Sequence, residues 1–261
     1  MEFKLRVSLV CAVCCVLLAP LVVRAADEPV PNVAFLSLAG DSITTQLFMR
    51  GTGSKMDANR KMVMPIDNPV LDVEAIQAAN KAFKMLRPGV MTTLLVTADK
   101  DLFKAQNDLF DEVDANRDNR AYLSSLLSKR AVTQLILITK NRAYAEFRIQ
   151  DGMVGGGRIE GLGFYIDNET RLMNSRSLVT GSGFVATFVY LKVRLIDAQT
   201  LNVLKEVNVK ESDLNVNYQL TEAHQVAWDA TTGEQKFKRL SEVIAGAMSD
   251  AIPALLKTPV L

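Results

Sequence analysis

The sequence predicts a mixed α/β fold: one mixed sheet, parallel in its first half with crossover helices, antiparallel hairpins in its second half, and a long C-terminal helix. Three observations predict it. In the first half, short apolar runs at residues 33–38, 90–98 and 133–140 alternate with segments of helical period, the order that gives parallel strands. In the second half a period of two takes over, above all at 184–209, as expected of long strands. At the end, Phe237, Leu240, Ile244, Met248, Ala251 and Leu255 fall on one stripe of a helix spanning 234–256, with Pro253 bending its last turn.

The chain of 261 residues starts with Lys4 and Arg6, an apolar run over 7–23, and then Arg24-Ala25-Ala26. A charged start, an apolar segment and a small-residue exit describe a secretory signal peptide over residues 1–25. The remaining 26–261 then read as a single mixed α/β domain, periplasmic or secreted. An uncleaved anchor helix is the alternative for the same run, which is short for a membrane span. Cys11, Cys14 and Cys15 all lie inside it, so the exported chain would hold neither disulfides nor thiolate metal sites. Val10 and Val13 precede Cys11 and Cys14 where a lipoprotein needs a small residue. Losing Lys4, Arg6, Arg24 and Glu2 from 30 basic and 29 acidic residues leaves 27 and 28. Such a balance gives no reason to expect nucleic acid or an anionic membrane surface as partner.

Residues 33–38 (VAFLSL) form a buried first strand. Extended segments at 43–49 and 61–66 form a hairpin around the polar loop 50–60. Asp67-Asn68-Pro69 starts a helix carrying Val73, Ile76, Asn80 and Phe83 to Leu86, and Pro88-Gly89 stops it. Residues 90–98 make a second buried strand, and Asp99 opens a helix with Leu102, Phe103, Leu109, Phe110 and Val113 inward. After the break at 114–119, Tyr122, Leu123, Leu126 and Leu127 face inward from another helix, and 133–140 make the third buried strand. Short strands at 144–149 and 161–167 flank a glycine-rich link. The hairpin at 184–209 needs a five-residue loop, which sets Leu195 opposite Val203 and Leu191 opposite Val207.

Within that hairpin, residues 193–204 read VRLIDAQTLNVL. This stretch resembles the periplasmic α/β domains of the curli-secretion channel and of penicillin-binding-protein activator lipoproteins. Leu201 stands where those families have a glycine, so Asn202 is expected to take the left-handed conformation. The resemblance implies an exported domain that binds other envelope proteins without catalysing a reaction.

Gly40-Asp41-Ser42-Ile43-Thr44 resembles the first block of the GDSL/SGNH hydrolases, secreted esterases with a serine nucleophile. That resemblance implies Ser42 as nucleophile, His224 as general base and Asn141 as an oxyanion donor. The later blocks depart from the pattern: only Asn141 matches at 139–142, and His224 lacks an aspartate three residues before it. ITTQLFM after Ser42 also alternates like a strand, whereas a nucleophile of this kind opens a helix; the plain reading is a turn in which Asp41 and Ser42 bond the backbone.

Asp114, Asn116 and Asp118 have the spacing of a calcium loop, but Asn119 and Ser125 replace its glycine and glutamate. The glycines at 51–55 and 155–157 lack phosphate-loop spacing. No metal or cofactor is therefore expected. The leading expectation is a non-enzymatic binding or assembly domain of the cell envelope whose partner is another envelope protein, with no stable membrane span once the signal is removed. A secreted serine esterase using Ser42 and His224 is the alternative.

Overall fold

The computed structural model describes residues 31–50, 59–110, 114–149, 152–173, 180–216 and 228–257. The segment expected to be a signal peptide with its three cysteines, residues 51–58, Val113 and His224 lie outside the described residues.

Strands β1 (Asn32–Ser37), β4 (Met91–Leu95) and β5 (Gln134–Lys140) are parallel, with β1 between the other two. This is the expected parallel half. Helix α1 (Val70–Leu86) precedes β4, and α2 (Lys100–Ala105) and α3 (Arg117–Ser128) lie between β4 and β5. The hairpin of β2 (Ser42–Leu47) and β3 (Arg60–Pro65) is antiparallel. In the second half, β6 (Arg142–Tyr144), β7 (Phe147–Ile149) and β8 (Gly152–Val154) are short. They lead into β9 (Arg158–Met173), β10 (Thr180–Asp197) and β11 (Val203–Asn215), and helix α4 (Gly233–Leu256) follows.

The registers place β9 and β5 end to end along one edge of β10. Residues 180–190 of β10 pair with β9 and residues 191–197 with β5, while β11 runs along the opposite edge. Next to this composite, β2 continues the line of β1, because β1 pairs β5 and β2 pairs β9, each in parallel. The sheet therefore has a seam, at 38–41 in one line and at Lys140 to Gly161 in the other.

Alternation on β1 sorts the core. Val33 and Phe35 face a cluster filled by Leu71, Ile76 and Phe83 of α1 and by Leu240, Ile244, Met248, Ala251 and Leu255 of α4. Ala34 and Leu36 face Leu102, Leu123 and Leu127 of α2 and α3. A third cluster joins Phe147 to Tyr165, Phe184, Phe188 and Tyr190. From Leu240 on, the stripe read along the C-terminal helix is thus buried as expected, and Phe237 is partly buried against the same cluster. The start of the helix carries a capping box: Thr232 Oγ1 accepts from the Gln235 N–H at 3.2 Å, and Gln235 Oε1 accepts from the Thr232 N–H at 3.1 Å.

Several details correct the sequence reading. The strand expected to be buried at 90–98 is an edge strand, with Met91, Leu94 and Val96 exposed; an apolar run alone does not say which strand is last in the sheet. Tyr122 is exposed although Leu123 and Leu127 are buried. The strand expected at 161–167 is the middle of a strand of 16 residues. The β10–β11 register sets Leu191 opposite Val209 and Val193 opposite Val207, two residues from the expected pairing, with an irregularity at Leu195 and Ile196. A shift of two keeps every side chain on its face, so burial could not tell the two registers apart. Leu201, not Asn202, takes the left-handed conformation, at φ 56°. Its side chain is buried in the second cluster, which offsets the roughly 1–2 kcal/mol that this backbone costs a non-glycine residue.

Candidate functional site

The seam gathers Asp41 and Ser42, which the sequence singled out, together with Lys140 and Asp72, which it did not. Ser42 is the first residue of β2, and the chain continues from it as a strand. Its hydroxyl donates to Asp41 Oδ1 at 3.2 Å and accepts from Lys140 Nζ at 2.7 Å. Lys140, the last residue of β5, also forms an ion pair with Asp41 Oδ1. Its side chain is largely buried, while that of Asp41 is about a third exposed. The three groups close a ring, and it ties the start of the β2–β3 hairpin to the end of β5.

Asp72, in the first turn of α1, completes the seam from the other side. Its Oδ1 accepts from Ser37 Oγ at 2.6 Å, from the Ala39 N–H at 3.0 Å and from the Gly40 N–H at 2.9 Å. Burial pushes this carboxyl up to about 6, against the opposing pull of those three donors. A Cβ on Gly40 would lie 2.7 Å from the Asp72 N and Oδ2, so only glycine fits there.

This geometry sets what the seam can do chemically. An ammonium held by a carboxylate has no lone pair with which to take the serine proton. The Ala39 and Gly40 N–H groups are turned onto Asp72 and not toward an oxyanion position. Asn141 follows Lys140; its N–H donates to the Tyr190 carbonyl at 3.0 Å, and its carbonyl accepts from the Gly161 N–H at 3.3 Å. Those bonds stitch β5 to β9 and β10. Among the described residues no group of three or more His, Cys, Asp or Glu is arranged to hold a metal ion, and no helix is long and apolar enough to cross a membrane.

No protein-family model matches the chain, and no curated protein matches it. Among solved structures it is similar to the lipoprotein GNA1162 from Neisseria meningitidis, at 10% identity and a TM-score of 0.27, over 83% of this chain and 96% of that one. It is also similar to a PelC dodecamer from Paraburkholderia phytofirmans, at 10% identity and a TM-score of 0.26, over 87% of this chain and 89% of that one. Likenesses this low bear on neither activity nor partners.

The second candidate surface is the outer edge of β3. All six of its residues are exposed, with Met62, Val63 and Met64 at 65, 51 and 54%. The Ile66 N–H donates to the Asp41 carbonyl at 2.8 Å. With Ile43 opposite Met64, antiparallel alternation then turns the main-chain groups of Met62 and Met64 toward β2. Those of Lys61 and Val63 point outward. Pro65 falls in the outward set, where its missing N–H costs no ladder bond. Lys140 and Asp72 were missed because a lone lysine at a strand end and a lone aspartate in a helix carry no pattern. The edge was legible only as a strand, not as the last one.

Proposed function

We propose that the chain is an exported, non-enzymatic binding domain of the cell envelope that pairs the outer edge of β3 with an extended segment of another envelope protein. The observation that carries this reading is the outer edge of β3, unpaired among the described residues, where the outward main-chain groups of Lys61 and Val63 lie beside the exposed Met62 and Met64 side chains. It offers main-chain donors and acceptors flanked by apolar side chains, the requirement for strand addition. Arg60 and Lys61 at one end and Pro65 at the other confine pairing to this short stretch, since charges and proline discourage indiscriminate edge contacts. The apolar leader with its Arg-Ala-Ala exit supports export, and the VRLIDAQTLNVL resemblance supports an envelope address.

Two proline substitutions test the pairing. Val63→Pro removes an outward N–H and no bond to β2, whereas Met64→Pro removes a bond inside the hairpin. Formaldehyde cross-linking in the native envelope should capture the wild-type chain in a discrete adduct. Val63→Pro should reduce that adduct at least tenfold while the purified variant keeps its melting temperature. No adduct in the wild type, or an undiminished one in Val63→Pro, would refute the proposal.

A second reading retains a serine esterase, with Ser42 as nucleophile and His224 and Asn141 assisting. The contact of Ser42 Oγ with Lys140 Nζ favours it, because an amine beside a serine is one known way to activate the hydroxyl. The Asp41 ion pair weighs against it.

A further inference from the structure

A cavity of about 350 Å³ opens between the β10–β11 turn and the side chains of Phe110 and Arg120, away from the seam. Phe110, Leu201 and Val203 give it apolar walls, and Arg120, Arg194 and Glu206 give it charge. Arg194 is 2% exposed. Its Nε donates to Glu206 Oε2 at 2.8 Å and its Nη1 to the Gln106 carbonyl at 3.4 Å. A guanidinium has five N–H donors, so three have no acceptor among the described residues. Its Nη2, which has no acceptor among the described residues, is not sealed away from solvent, and Arg194 lines the cavity.

Arg120 reaches the same place from α3. Its Nη1 donates to the Leu109 carbonyl at 3.4 Å, and the two guanidiniums each lie 5.6 Å from the centre of the Phe110 ring. Glu206 does not balance both. Its Oε1 faces Lys192 Nζ at 3.6 Å and its Oε2 faces Arg194, so the carboxylate is already shared between two cations. Among the described lining residues, one positive charge is left over, with unused planar N–H donors beside an aromatic ring.

We propose that this cavity binds a small organic carboxylate. The planar fork of a guanidinium matches a carboxylate in two parallel hydrogen bonds. A single excess charge suits a monoanion. The volume and the apolar walls accommodate an organic body larger than a bare ion.

Benzoate, benzyl alcohol and inorganic phosphate, titrated at constant ionic strength into the folded chain, test the assignment. Benzoate should raise the melting temperature to a plateau, and phosphate should bind at least tenfold more weakly. Benzyl alcohol, of similar shape without the charge, should give no saturable shift. Arg194 is too buried to remove safely, so the test uses two accessible residues. Arg120→Gln should weaken benzoate at least tenfold, and Val203→Glu should abolish binding, with little change in the ligand-free melting temperature of either. No shift with benzoate overturns the proposal. So does an equal response to benzyl alcohol or phosphate, or a benzoate response untouched by Arg120→Gln.

Discussion

Gly163→Ala is expected to lower the unfolding free energy by about 3 kcal/mol or more, at or above the upper end of what overpacking costs. Gly163 lies in β9 directly opposite Thr44 of β2. An added Cβ would sit 1.9 Å from the Thr44 carbonyl oxygen and 2.9 Å from the Phe188 ring. The first neighbour is main chain in a paired strand and cannot swing aside. Either β2 parts from β9 or the new methyl is not accommodated. Parting would release the whole β2–β3 hairpin, because β9 is its only neighbouring strand outside the hairpin among the described residues. Chemical denaturation should show the loss, and hydrogen exchange should show it concentrated at residues 44–47. A variant as stable as the wild type would contradict the close approach of these strands.

Asp72→Asn is expected to act in the opposite direction. The folded-state pKa of Asp72 is raised from 3.8 to about 6, so the native protein keeps this proton to a higher pH than the unfolded chain does. Between about pH 4 and 6 the native state binds more protons, and stability falls as pH rises. Above that window both states are ionised and the loss is complete, on the order of 3 kcal/mol. Asparagine presents the same oxygen to Ser37, Ala39 and Gly40 without a charge to bury. The variant should therefore gain roughly 2–3 kcal/mol at pH 7, and this contribution to the pH 4–6 slope should vanish. Urea unfolding at pH 4, 5, 6 and 7 in both proteins checks the sign. A wild type whose stability rose through that window with the same slope as the variant would refute the assignment.

The parts of this fold that sequence made visible are those in which a period repeats. The stripe from Phe237 to Leu255, the start of α1 at Pro69 and the cap of α2 at Asp99, which accepts from the Asp101 and Leu102 N–H groups, each follow from local chemistry. What sequence could not supply was strand order. Met91, Leu94 and Val96 look like a buried strand until β4 proves to be last in line. The seam was half visible for the same reason. The strand after Ser42 could be read from its alternation, whereas a nucleophile of that kind opens a helix. The lysine that holds it is 98 residues away, and no local signal links the two. Asp72 was hidden because its partners, Ser37, Ala39 and Gly40, lie on the far side of an intervening hairpin.

We propose that the Asp41–Ser42–Lys140 ring ties the seam together and carries out no acyl transfer. The most direct measurement is exposure of the full chain, with its own His224 in place, to a fluorophosphonate probe, followed by mass spectrometry of the labelled peptides. The account predicts no adduct on Ser42 above that on exposed serines. A stoichiometric Ser42 adduct that disappears in Ser42→Ala would contradict it and establish the esterase reading instead.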